Sequence, residues 1–154
     1  MPLREFAERY QRLNYPHDHS LMSRVYYTDV STSTLVWREG EFLVEYYLMH
    51  PLVNVVPHAH PFDSVTVHIG GKMLGRRDGV IGHWLTDKDA GHISGVLPKG
   101  EQHSFDTGDT GCVVYVISQW DDPAEMDSAT VKYLGQPLGP RHASSLASCG
   151  VLTT

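Results

Sequence analysis

Hydrophobic and polar positions alternate through most of this chain. Val65, Val67 and Ile69 stand two apart with Ser64, Thr66 and His68 between them, the period-two pattern of a strand with one face on a core. The same reading predicts strands over Ser23 to Thr28, Thr34 to Trp37, Glu41 to Met49, Val53 to His60, Ser64 to Ile69 and Lys72 to Gly75. Further strands are predicted over Val80 to Thr86, Ile93 to Leu97, Gln102 to Phe105 and Cys112 to Gln119. Turn-forming residues separate them: Arg38-Glu39-Gly40, Asp78-Gly79, Asp89-Ala90-Gly91 and Thr107 to Gly111. Only the start differs, where Leu3, Phe6, Ala7, Tyr10 and Leu13 fall at helical spacing and predict a short amphipathic helix over 2–13. Many short strands at this spacing indicate a sandwich or barrel.

From Asp121 the pattern weakens, with Pro123, Pro137, Pro140 and a run rich in Ser and Ala from Ala143 to Ser148. Val131 to Leu134 reads as one further strand. The rest of this 121–154 tail either wraps the barrel or a partner subunit, or is a mobile end. The 154 residues suit one domain, 1–154. A net charge of −6 argues against a nucleic-acid binder, which needs clustered Lys and Arg. The adjacent pair Arg76-Arg77 precedes the hairpin signal Asp78-Gly79 and reads as a solvated turn. Charges crowd the first ten residues and no apolar run reaches spanning length, so a cytoplasmic protein without membrane contact is expected. Cys112 and Cys149 then read as free thiols.

Chemistry concentrates in two short stretches. In an extended segment His58 and His60 present two imidazoles to one side, and His103 follows the turn signal of Pro98 and Gly100, positioned to supply a third. Such a set binds a divalent ion while leaving positions open for substrate. Asp63 shares the parity of Val65, Val67 and Ile69. If that apolar set faces the barrel interior, Asp63 points inward and Ser64, Thr66 and His68 point outward, with Pro61 and Phe62 as an irregular link. Asp63 is then a metal ligand or a base beside one, and the rival reading is a three-histidine site that Asp63 merely supports. His83 is a second candidate catalytic residue, on a strand whose inward parity is open.

The two stretches resemble the paired signatures of the cupin superfamily, G-x5-H-x-H-x3/4-E-x6-G and G-x5-P-x-G-x2-H-x3-N. His58-x-His60 matches the heart of the first, Gly70 its closing glycine, and Pro98-x-Gly100-x2-His103 the core of the second. Leu52 replaces the opening glycine, Thr107 the closing asparagine, and Ser64 and Val65 occupy the places of the glutamate. The resemblance implies an all-β, RmlC-like double-stranded β-helix (jelly-roll) barrel over about 43–120. It also implies one divalent ion (iron(II), zinc, manganese or nickel) on His58, His60, Asp63 and His103, a small-molecule substrate and a homodimer. Its members include oxygenases, isomerases, cyclases, lyases and non-catalytic binding proteins. A mononuclear non-haem oxygenase is the leading expectation, with a non-redox isomerase, cyclase or lyase beside it and a ligand-binding barrel third.

Overall fold

The computed structural model describes residues 1–12, 23–27, 32–122 and 124–126. Val131 to Leu134, His142, Cys149 and most of the tail lie outside them. Among the described residues no helix is long and apolar enough to cross a membrane.

A short helix α1 (Leu3–Ala7) continues as one 3-10 turn to Tyr10. Seven strands follow: β1 (Ser23–Tyr27), β2 (Thr32–Glu39), β3 (Phe42–Met49), β4 (Asn54–His58), β5 (Asp63–Arg77), β6 (Val80–Leu85) and β7 (His103–Gln119). All pairings are antiparallel, in the order β1-β2-β3-β7-β5-β6, and β4 pairs with β7. Ile93 to Leu97 forms no strand; Ile93 and Leu97 only bridge to Val67 and Ser64.

The two longest strands each merge segments that the sequence divides. β5 and β7 run side by side from Asp63↔Gln119 to Arg77↔His103, shifting register between Gly71 and Met73. Residues 108–111, expected to end a strand, instead bulge out of β7 between Thr107 and Cys112. Gly71 and Gly111 both have positive φ, 74° and 68°. A Cβ on Gly71 would collide with the Gly111 backbone, and one on Gly111 with the Met49 carbonyl. Glycine therefore lets the pair bend here without breaking.

Both faces of the β3-β7-β5 sheet are covered. On one, Leu3, Phe6 and Tyr10 pack on Phe42, Val44, Val65, Val67, Tyr115 and Ile117. Phe6 stacks on Phe42 at 4.0 Å, and a buried side chain of this size contributes roughly 1.5–3 kcal/mol. The Tyr10 hydroxyl donates to Glu39 at 2.6 Å, tying the end of the helix to β2. Burial, and then the Glu39 carboxylate, push the Tyr10 pKa up. The opposite face carries Leu43, Tyr47, Met49, Val55, Met73 and Val114.

This arrangement reverses the expected facing of β5. Val65 and Val67 face the helix-covered core, whereas Ser64 and Thr66 line a cavity on the other side. His68 is not outward either: it is fully buried, and its Nε2–H donates to the Thr86 carbonyl at 3.0 Å. The physical reason is the helix. It gives the sheet a second apolar face, so alternation alone cannot say which side is the barrel interior.

Candidate metal centre

His58 ends β4 and pairs directly with His103, the first residue of β7. Directly opposed residues share a face, so both imidazoles lie on the cavity side. The β4 register shifts between Val55 and His58, where Pro57 has no N–H to give the ladder. His60 lies beyond the strand end and is buried. Its ring centroid is 4.7 Å from that of His58 and 4.6 Å from that of His103.

The turn before β7 sets the third imidazole. Glu101 N–H donates to Pro98 O at 3.1 Å, and Gly100 within that turn has a φ of 84° that favours glycine. Gly100 N–H donates to His60 O at 2.8 Å, binding the two histidine-bearing segments together.

Ligand atoms of His58, His60 and His103 all fall within 4.8 Å of one another. Nε2 of His103 lies 3.0 Å from Nε2 of His60, and its Nδ1 lies 3.2 Å from the Glu101 carbonyl. A carbonyl only accepts, so Nδ1 carries the hydrogen and Nε2 turns its lone pair toward the other rings. Ring N–H donation to a backbone carbonyl is a common support for a metal-binding imidazole. Burial, then the neighbouring His58, holds the His103 pKa below the ordinary histidine value, which favours the neutral ligand form. The donor set therefore fits a divalent ion.

Asp63 is not brought to this group. Its Oδ1 accepts the Lys99 N–H at 2.9 Å, and alternation places it on the face of Val65. His83 is exposed on β6 and does not line the cavity. The cavity, about 130 Å³, instead meets the three histidines, Ser64, Thr66 and Arg77 beside apolar walls. The sequence pattern alone places Arg77 in a solvated turn. It is the last residue of β5, and only Asp78 and Gly79 form the turn, with φ 48° and 77°. The signal for Arg77 is register: it lies directly opposite His103.

No family model matches the chain, and no curated protein matches it. Solved structures do match. An RmlC-like cupin from Shewanella frigidimarina aligns with TM-score 0.57 and 16% identity, over 73% of this chain and 96% of that one. KdgF from Halomonas sp. aligns at 0.52 and 15%, over 73% and 94%. AerE from Microcystis aeruginosa aligns at 0.53 and 13%, over 64% and 45%. At such identities the likeness concerns architecture, and the chain has the all-β cupin fold.

Proposed function

We propose that this cupin-fold chain is a metal-dependent enzyme that converts a small molecule at a divalent ion held by His58, His60 and His103. The observation behind this reading is the convergence of three imidazoles on the wall of a cavity. Structural zinc sites are closed by four protein ligands, whereas three leave room for a substrate. A bound ion would supply Lewis-acid polarisation or, as iron(II), oxygen activation.

Two forms of the chemistry have support. Met73, Leu97, Phe105, Val114 and Val116 line the cavity and limit water around a reacting group, which suits a mononuclear non-haem oxygenase. The all-imidazole set leaves the charge of the ion undiminished, which suits a non-redox isomerase, cyclase or lyase. In either form Ser64 and Thr66 offer hydroxyls that orient a substrate, and neither Asp63 nor His83 is placed as proton carrier.

The test is to load the metal-free protein separately with iron(II), zinc, manganese and nickel and to assay enols, catechols and keto acids with and without dioxygen. Turnover with iron and dioxygen alone establishes the oxygenase. Turnover with zinc under argon establishes the non-redox form. Tight ligand binding without turnover on any metal makes the chain a binding protein.

A further inference from the structure

The described lining of the cavity includes three histidines and two arginines, and no aspartate or glutamate. Arg76 is ion-paired with Asp106 at 2.6 Å, outside that lining. Neutral imidazoles leave a divalent ion with its full charge, and a low-dielectric site tolerates that only with a counter-charge nearby.

Register sharpens the point. His103 is opposed by His58 on one side and by Arg77 on the other, so a guanidinium shares a face with two of the imidazoles. Arg77 is held there. Its Nε and Nη2 donate to the two Glu101 carboxylate oxygens at 3.3 and 2.7 Å, and Nη2 also to Val96 O at 2.9 Å. A Cβ on Gly95 would come within 3.0 Å of Nη1, so the missing side chain gives the guanidinium its space. Among the described residues Nη1 has no acceptor. Glu101 balances Arg77 itself, and the charge of the ion remains to be met.

We propose that the substrate meets it: the site takes a small organic anion whose carboxylate is received by the ion and by Arg77. This rests on His58, His60 and His103 being metal ligands. A cavity of about 130 Å³ is small, well below the roughly 300–1,000 Å³ of sites for drug-sized ligands. The anion is therefore a short-chain acid. Nε and Nη2 are taken by Glu101 and Val96, so Nη1 is the nitrogen left to donate a charge-assisted hydrogen bond to one carboxylate oxygen.

The experiment is calorimetric titration of zinc-loaded and metal-free protein with pyruvate and with its neutral amide. The expected result is one zinc per chain and pyruvate binding to the zinc form at least tenfold more tightly than the amide. In the double variant Arg77→Gln, Glu101→Gln, which keeps the local charge balanced, zinc is retained and pyruvate affinity falls about 10- to 100-fold. Arg77→Lys, which preserves the charge but has a single nitrogen to share between Glu101 and the anion, falls between the two. Equal affinity for acid and amide, or no binding of either by zinc-loaded wild type, overturns the anion proposal and leaves the metal site standing. Failure to bind zinc overturns the metal reading and this proposal with it.

Discussion

Asp63 Oδ1 accepts the Lys99 N–H at 2.9 Å, and this bond reaches from the start of β5 to the turn that precedes His103. With the Gly100 to His60 bond it fixes the spacing between the two segments that carry the three-histidine cluster. Asp63→Ala removes the acceptor, and the turn gains freedom that a bound ion must then restrict. Metal affinity should fall about 10- to 100-fold, the usual cost of losing a group that orients ligands. Asp63→Asn keeps an Oδ1 acceptor and should stay within a few-fold of wild type. Competition titration against a chromogenic chelator measures both. If Asn is as damaging as Ala, the carboxylate acts by its charge rather than as a turn clamp.

His58, His60 and His103 are each expected to be required for the ion. Purified wild type should carry about one divalent ion per chain, as a mononuclear site does. The His58→Ala and His103→Ala proteins should carry little, with His60→Ala behaving alike. Elemental analysis of samples prepared in parallel decides this, and equal metal in all of them would remove the site assignment.

The cupin motifs were legible because they are local. His58 and His60 are two residues apart in the chain, and Pro98-x-Gly100-x2-His103 shapes its own glycine turn. The Asp78-Gly79 hairpin was legible for the same reason. What escaped depends on distant partners. Val65 and Val67 face away from the cavity because α1 covers the other side of the sheet, and no feature of β5 itself announces that cover. Arg77 joins the site only through its pairing with His103, across an intervening hairpin and loop. The bulge at 108–111 has the sequence of a turn, because glycine-rich bends and strand ends use the same residues.

Cys112 is buried in the cavity-side core, beside Met49. Burial pushes its thiol pKa up to about 12, so almost no thiolate exists at neutral pH. The folded protein should leave Cys112 unmodified by iodoacetamide at pH 8, and unfolding in urea should make it reactive. Peptide mapping separates it from Cys149. Rapid alkylation of Cys112 in the folded state would mean that this core opens easily.

β6 ends the sheet and pairs only with β5 among the described residues. It exposes Val80 at 71%, Ile81 at 63% and Trp84 at 47%. An apolar free edge is suited to pairing with the same strand of a second copy about a two-fold axis. Light scattering should report a homodimer at micromolar concentration, and Ile81→Lys should shift it toward monomer with little loss of thermal stability. A wild-type monomer under these conditions would rule the pairing out.

Thr66 and Val67 are neighbours on β5 that point into different environments. Val67 is fully buried beneath the N-terminal helix, with Ile93 and Tyr115 in the same cluster, whereas Thr66 is half-buried on the cavity wall. Val67→Ala removes two carbon atoms from a packed core and leaves a void, which costs roughly 2 kcal/mol. Thr66→Ala trims a cavity that is already open. The Thr66 backbone N–H keeps its 2.9 Å bond to Ser94 Oγ, so the cost in stability should stay under about 1 kcal/mol. Its effect should instead appear in ligand affinity, because a wall hydroxyl is lost. Urea unfolding measures the first quantity and calorimetry with the zinc-loaded protein the second. A larger loss of stability from Thr66→Ala than from Val67→Ala would show that the faces of β5 are assigned the wrong way round.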